Sequence, residues 1–283
     1  MAARGAPPRA AGAGQSFGDV ARQVVRAAGG AHFRADGLVL TTHFQPIYSA
    51  QTGEAHGYEA LLRAESADGH ALRARALFHS LDSEARTRLD WTCRALHLRN
   101  FAVVDPGNRK LFLNVHATAL LDDAEQGRGF AELVRFYGLS PERVVLELLE
   151  DDSGDEARLA EAAAQHRALG FTIALDHFGR GHSNFDRIAA LRPKLVKLDP
   201  ETLRRALGDT QGRRMLPSIV DMLADTGASI AINGIDSAAD ALAAMEAEAD
   251  YLQGFHFGAP TRAPRDEQLA AELIHAARHL AAA

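Results

Sequence analysis

The chain has 283 residues, of which 47% are hydrophobic and 24% charged, a composition typical of folded globular proteins and not of disordered or fibrous ones. Its net charge of −6 argues against a nucleic-acid polymer as the partner. Cys93 is the single cysteine, so the chain can form neither an internal disulfide nor a cysteine-rich zinc site. A reducing cytoplasm is the expected location.

The first residues, 1–15, are rich in alanine, glycine and proline. This composition predicts a disordered tail, and the stretch lacks the apolar middle of a signal peptide. No apolar run elsewhere approaches the roughly 20 residues that a membrane-spanning helix needs. We therefore expect one folded domain over residues 16–283 and no association with a membrane.

Strand and helix patterns alternate from residue 39 onward, which is typical of an α/β domain. Short apolar or alternating runs predict strands at residues 44–48, 57–62, 111–115, 144–148, 171–175, 195–198, 229–232 and 251–252. Helical spacing of apolar residues predicts helices at 84–101, 156–169, 213–226, 238–246 and 266–281. Eight strands alternating with helices are what a closed (β/α)8 barrel requires, so a barrel is the predicted architecture.

The connection between the first two predicted strands is short. Residues 49–56 join them, and Thr52, Gly53 and Glu54 form the expected bend. Parallel neighbours need a long crossover, whereas antiparallel neighbours can be joined by a tight turn. One strand of the predicted barrel is therefore expected to run antiparallel to the others.

Polar residues fall within or just beyond the predicted strands, and they are Glu59, Asn114, Glu147, Asp176, Lys197, Asn233 and Gln253. Side chains at the carboxyl ends of barrel strands meet at one mouth, where barrel enzymes place their chemistry. Three carboxylates and a carboxamide favour Mg²⁺ or Mn²⁺ over zinc or copper, and Lys197 beside them would serve a phosphate. A carboxylate such as Asp176 at the end of a buried strand needs a cation or strong donors beside it.

Six short motifs follow one another between residues 44 and 260. They are Phe44-Gln45-Pro46-Ile47, Glu59-Ala60-Leu61-Leu62-Arg63, Leu113-Asn114-Val115, Glu147-Leu148-Leu149-Glu150, Leu195-Val196-Lys197-Leu198-Asp199, and Gln253-Gly254-Phe255 followed by Pro260. Together they resemble the EAL-domain phosphodiesterases, which linearise the bacterial second messenger cyclic di-GMP. Several motifs at matching separations are far more specific than any one of them.

The resemblance implies a modified TIM barrel with one antiparallel strand, two divalent metals at its mouth and cyclic di-GMP bound across them. Two metals about 4 Å apart clamp the attacking and leaving oxygens of a phosphoryl displacement. By the same resemblance, the first metal is held by Glu59, Asn114, Glu147 and Asp176, and Lys197 lies near the attacking water as the candidate catalytic residue. The implied contacts to cyclic di-GMP are Gln45, Glu59, Leu62, Arg63, Asn114, Lys197 and Gln253.

The chain departs from the family pattern at two positions of one metal site. The family has a second aspartate where this chain has His177, and a Glu-Gly-Val-Glu motif where this chain has Asn233-Gly234-Ile235-Asp236. Both replacements are neutral, so the second metal loses two units of compensating charge, and activation of water there is expected to fail or weaken. Arg180 and His182 also alter the loop that the family uses for metal-site ordering and dimerisation.

These departures predict a degenerate EAL-domain protein, an impaired phosphodiesterase that binds cyclic di-GMP or an unidentified protein partner. We expect one Mg²⁺ or Mn²⁺ site without the second, and the resemblance allows a homodimer. The alternative is an active or slow phosphodiesterase producing linear pGpG, because imidazole can ligate Mn²⁺, Fe²⁺ or Zn²⁺ and a carboxamide can coordinate through oxygen. The residue type leaves His177 open between a metal ligand and a side chain packed at the barrel rim.

Overall fold

The computed structural model describes residues 16–26, 32–35, 37–105, 107–126, 128–149, 155–179, 185–263 and 267–282. The predicted tail at residues 1–15 and the loop residues Arg180 and His182 lie outside these described residues. Within them, no helix is both long enough and apolar enough to cross a membrane.

The described strands form one sheet that closes on itself. They are β1 (His32–Ala35), β2 (Leu38–Ser49), β3 (Ala55–Ser66), β4 (Ala71–Leu72), β5 (Lys110–Val115), β6 (Val144–Leu148), β7 (Thr172–Phe178), β8 (Leu195–Leu198), β9 (Ser229–Asn233) and β10 (Tyr251–Gln253). Eight of them make a barrel in the order β2-β10-β9-β8-β7-β6-β5-β3, and a β2–β3 pairing closes it. β2 is antiparallel to both barrel neighbours, whereas the other barrel pairs are parallel. The predicted barrel with one antiparallel strand is confirmed.

Helices pack against the outside of the barrel around the main apolar core. In the described residues they are α1 (Phe17–Arg26), α2 (Ala74–His79), α3 (Ser83–Val104), α4 (Ala117–Gln126), α5 (Gly129–Phe136), α6 (Glu156–Ala168), α7 (Phe185–Leu191), α8 (Pro200–Gly208), α9 (Thr210–Ala224), α10 (Ala238–Glu246) and α11 (Glu267–Ala281). The predicted helices correspond to α3, α6, α9, α10 and α11. The helices that the pattern missed have 6 to 10 residues, so their helical period repeats over few turns, although α10 with 9 residues was predicted.

The barrel interior has two layers of side chains, because alternate residues of a strand share a face. The lower layer is apolar and consists of Ile47, Phe112, Val145, Ala174, Leu195 and Ala231, with Tyr251 packed against it. Gly57 completes this layer, since a Cβ there would lie 2.7 Å from a ring carbon of Phe112. Two positions away along each strand lies the polar layer, which consists of Gln45, Glu59, Asn114, Glu147, Asp176, Lys197, Asn233 and Gln253. One end of the barrel is therefore filled with apolar groups, and the other is a polar mouth.

Helix α3 is attached to β2 by a buried, hydrogen-bonded histidine. His97 Nδ1 lies 2.7 Å from the Thr42 hydroxyl, which accepts a 3.0 Å hydrogen bond from Asn100 Nδ2. The Thr42 hydroxyl, which has one donor and two acceptor lone pairs, thus bonds both the His97 ring and the Asn100 carboxamide. Burial lowers the pKa of His97 to about 3.

We expect His97 to make the stability of the protein depend on pH. The unfolded chain binds a proton at this ring near its ordinary pKa of 6.5, whereas the folded protein keeps it neutral down to about pH 3. Stability is therefore lost as the pH falls below 6.5, by about 2 kcal/mol between roughly pH 7 and 5. Urea unfolding should show a smaller loss for His97→Gln and an unchanged loss for His279→Gln, which changes an exposed histidine. Equal losses in both variants would contradict this role of His97.

Candidate active site

Six of the predicted site residues are joined by direct contacts at the polar mouth, and Lys197 on β8 lies among them. Its Nζ is 2.9 Å from Glu59 Oε2 on β3 and 2.6 Å from Glu147 Oε1 on β6. Burial disfavours the charged ammonium, but the carboxylates of Glu147, Glu59 and Asp176 outweigh this effect and raise the pKa of Lys197 above its ordinary value. Lys197 is therefore a fixed positive charge that cannot act as a base at neutral pH.

Carboxamides orient the Glu59 carboxylate from two sides. Asn114 Nδ2 donates a 2.8 Å hydrogen bond to Oε1, and Gln253 Nε2 donates a 2.8 Å bond to Oε2. Gln253 Nε2 also lies 3.3 Å from Gln45 Oε1, and Gln45 Nε2 donates to the carbonyl oxygen of Gly258. Gln45 and Gln253 thus hold Glu59 in place, and their contact with a nucleotide stays a prediction.

Glu147 and Asp176 are both buried, yet their surroundings move their pKa values in opposite directions. Burial raises the pKa of Glu147 well above its ordinary value, and the attraction of Lys197 does not cancel that effect. Burial also acts on Asp176, but Lys197 and the hydrogen bonds from His177 outweigh it and lower the pKa of this carboxyl. Asp176 is therefore the more firmly ionised of the two carboxylates.

A bulge in β7 places the His177 side chain against the carboxylate of Asp176. Between Leu175 and Phe178 the strand is one residue longer than its partner β8, and His177 has a positive φ of 59°. Bulges of this kind redirect side chains and occur often beside active sites. The imidazole Nδ1 consequently lies 2.8 Å from Asp176 Oδ2, and this hydrogen bond raises the pKa of His177. The structure thus places the ring of His177 against the carboxylate of Asp176.

The predicted end of β7 at residue 175 was too early. Apolar residues stop at Leu175, but the strand continues through Asp176 and His177 to Phe178. The two polar side chains are stabilised by each other and by the mouth, so the loss of apolar pattern does not end the backbone pairing. Asp176 therefore belongs to the barrel wall and not to the following loop.

The remaining predicted residues occupy three different environments. Asn233 ends β9 in the polar layer and is buried. Arg63 is exposed on β3, two positions beyond Leu61 on the face that carries Glu59. Leu62 is buried in the main core on the opposite face, so a contact between this residue and a nucleotide would involve its backbone, and the contact stays a prediction.

The charges and oxygen atoms of the mouth fit a hard divalent cation. Glu59, Glu147 and Asp176 with Lys197 give a net charge of −2 when all are ionised. Glu147 Oε2, Asn233 Oδ1 and Gln253 Oε1 are buried without a hydrogen-bond partner, and oxygen ligands are those that Mg²⁺ and Mn²⁺ prefer. Among the described residues, no group of three His, Cys, Asp or Glu side chains converges closely enough to hold a metal, and Lys197 Nζ contacts both Glu59 and Glu147.

A segment that contains Pro260 of the sixth motif and continues beyond it lies against β2 at the mouth. Residues 258–263 follow the Gln253 motif, and Thr261 forms an antiparallel bridge to Phe44 of β2. The two bridged residues are separated by more than two hundred positions in the chain, so no local pattern could predict that they pair. We call residues 258–263 the closing segment.

Comparisons with known proteins identify the family. The EAL domain model matches residues 33–260. The uncharacterized EAL-domain containing protein YkuI of Bacillus subtilis is 29% identical over 224 residues, which are 77% of this chain and 54% of that protein. The probable cyclic di-GMP phosphodiesterase PdeA of Escherichia coli is 25% identical over 226 residues, 78% of this chain and 30% of that protein. The chain thus spans about half or less of the length of these curated relatives.

Two solved structures share the fold. B. subtilis YkuI, in complex with substrate c-di-GMP and calcium, superposes with a TM-score of 0.75 at 26% identity over 86% of this chain and 61% of that one. The manganese and cy-diGMP complex of Klebsiella pneumoniae BlrP1 has a TM-score of 0.70 at 21% identity over 78% of this chain and 56% of that one. With the family model covering most of its length and its motifs forming the polar mouth, this chain belongs to the EAL domain family.

Proposed function

We propose that the protein is a catalytically impaired member of its family that binds cyclic di-GMP at the polar mouth with one divalent cation. Glu59, Asn114, Glu147 and Asp176 would hold Mg²⁺ or Mn²⁺. Bound there, the cation would balance the net charge of −2 and polarise a phosphate oxygen. The positive charge of Lys197 is already counted in that net charge, and Glu59 would be kept in position by the carboxamides of Asn114 and Gln253.

The identity of the side chains at positions 177 and 233 carries the proposal of impaired catalysis. The Asn233 carboxamide cannot accept a proton from water, and it brings no charge to a second cation. His177 is hydrogen-bonded to Asp176 and likewise adds no negative charge to the mouth. Loss of a positioned general base typically costs about 10² to 10⁴ in rate, and loss of a second cation would add to that cost.

One observation favours slow hydrolysis to linear pGpG as the second candidate. His177 is held by Asp176 through Nδ1 at 2.8 Å, and a carboxylate that orients an imidazole in this way makes it a competent proton acceptor in other hydrolases. Such a base would act without a second carboxylate. A protein partner and a homodimer also stay predictions, and a barrel that had lost the nucleotide altogether would act through such a partner.

Calorimetric titration with cyclic di-GMP tests the proposal. We expect a micromolar Kd that requires Mg²⁺ or Mn²⁺ and is lost in EDTA, with the ligand recovered intact by chromatography after the titration. Glu147→Gln should abolish the metal-dependent part of binding, whereas Glu246→Gln, which changes an exposed residue of α10, should leave it unchanged. Recovery of linear pGpG at ordinary enzyme rates would contradict the impaired catalysis, and absence of heat under all conditions would contradict nucleotide binding.

A further inference from the structure

The closing segment is attached to β2 above the polar mouth. Phe44 and Thr261 exchange backbone hydrogen bonds, with Phe44 N donating to Thr261 O at 2.7 Å and Thr261 N donating to Phe44 O at 3.0 Å. His43 Nδ1 lies 3.2 Å from the carbonyl oxygen of Pro260. Because a carbonyl oxygen can only accept, Nδ1 carries the proton of this bond. The imidazole of His43 thus links the two strands by a side-chain contact.

The register of these strands places two arginines on either side of His43. Antiparallel pairing of Phe44 with Thr261 sets Arg262 directly beside His43. On the other side of β2, Thr41 pairs with Arg63, which puts Arg63 diagonal to His43. Paired residues and alternate residues share a face, so all three side chains continue the face that carries Gln45 and Glu59. We call His43, Arg63 and Arg262 the cationic rim.

The electrostatics of His43 agree with this placement. Its pKa is lowered first by burial, then by the positive charge of Arg63, and also by that of Arg262. Both guanidinium groups are therefore close enough to act on one imidazole. The side chains of Arg63 and Arg262 are exposed, and the hydrogen bond from Arg63 to the Leu62 carbonyl oxygen uses one of its five donors.

A bound cyclic dinucleotide would bring negative charges that cations at this rim could compensate. Lys197 is already paired with Glu59 and Glu147, so these carboxylates compensate its positive charge. Binding of a cation requires ionised carboxylates, and the net charge of −2 that the polar layer then carries would be matched by one divalent cation. A cyclic dinucleotide then brings two further negative charges, one on each phosphodiester, which nothing in the polar layer compensates. Two guanidinium groups supply that number of positive charges.

We infer that Arg262 joins Arg63, whose contact with the nucleotide the family resemblance already implies, in a phosphodiester-binding site in which the cationic rim holds a phosphate of the cyclic dinucleotide over the mouth. The inference rests on the proposed function and extends it to a residue, Arg262, outside the six sequence motifs. Guanidinium groups bind phosphate oxygens in pairs of parallel hydrogen bonds. His43 is a positioning residue, because its bond to Pro260 fixes the backbone that carries Arg262.

Titration of cyclic di-GMP into wild type, Arg262→Gln, Arg262→Lys and Arg214→Gln tests this site. Loss of a hydrogen bond to a charged group should raise the Kd by roughly tenfold or more in Arg262→Gln, with a weaker dependence on salt. Arg262→Lys should fall between wild type and Arg262→Gln. Arg214→Gln removes the same charge from the exposed surface of α9 and should bind as the wild type does. Equal Kd values for Arg262→Gln and Arg214→Gln would overturn the inference.

A second probe separates this inference from the proposed function. Inorganic pyrophosphate carries the anionic groups without guanine, and its binding can be followed by the NMR signals of the arginine Nε–H groups. We expect perturbation of Arg262 and Arg63 signals in the wild type, and loss of this binding in Arg262→Gln with Arg63→Gln. If the wild type bound pyrophosphate at the rim but not cyclic di-GMP, the phosphate-binding role of the two arginines would stand and the proposed binding of cyclic di-GMP would fail. If pyrophosphate left both arginine signals unmoved, the rim inference would fail.

Discussion

Replacing Lys197 with methionine is expected to destabilise the protein by about 3–5 kcal/mol in buffer containing EDTA, because removing one partner of a buried ion pair leaves the other charge uncompensated. Lys197 is completely buried and is in contact with Glu59 and Glu147. Methionine matches the length of the stem but provides no charge. Three carboxyl groups would then share the mouth without a protein cation, and folding would require at least one of them to bind a proton.

The same substitution should make stability depend on metal. In Lys197→Met a bound cation would replace both the missing ammonium and the proton that the carboxyl groups take up on folding, so Mn²⁺ should raise the urea midpoint of the variant more than that of the wild type. Lys194→Met serves as the control, because that side chain is exposed and immediately precedes the same strand. Wild-type stability of Lys197→Met in EDTA would show that Lys197 does not balance the carboxylates.

Restoring the two family carboxylates should produce the largest gain in activity. His177→Asp combined with Asn233→Glu is expected to raise hydrolysis of cyclic di-GMP to linear pGpG by at least about 10²-fold, since it returns a proton acceptor and two negative charges to one half of the mouth. The backbone should accept the change at position 177. Its φ of 59° lies in the left-handed region that aspartate tolerates better than most residues.

Rates should be measured by chromatography of the product with Mg²⁺ and with Mn²⁺. Each single variant should gain less than the pair, because the two side chains would serve the same cation. His279→Asp with Asn108→Glu makes the same changes at exposed positions and should leave the rate as it is in the wild type. If the double variant at the mouth hydrolyses no faster than this control, the neutral residues are not the cause of impaired catalysis.

Most of the barrel could be predicted from sequence because its interior follows a period of two. The apolar residue of each strand, such as Val145 or Leu195, is followed two positions later by Glu147 or Lys197. This repetition identifies both the strands and the end at which the polar groups meet. The same period places Leu62 on the face opposite Glu59, which argues against a contact between the Leu62 side chain and a nucleotide at the mouth.

Three features could not be predicted because they depend on contacts distant in the chain or on backbone geometry. The bulge at His177 is a local change of register, and an apolar pattern that stops at Leu175 carries no information about it. Lys197 meets Glu59 across 138 positions, so only the closed barrel determines which carboxylates it touches. Arg262 acquires its place through the pairing of Thr261 with Phe44, and the sequence around it contains no distinguishing pattern.

The antiparallel strand β2 also has a consequence for how the molecule folds. Its partner β10 is the last barrel strand to be synthesised, and the pairs Tyr48–Leu252 and Ser49–Tyr251 close the ring. Until β10 arrives, β2 and β9 each present an unpaired edge, the kind of surface through which chains aggregate. Contacts of such long sequence separation form late and slowly. Gln253 contacts Glu59 across 194 positions, so this carboxylate is fully oriented only when the ring is closed. A chain in which β10 has not yet paired therefore lacks a complete ligand-binding site.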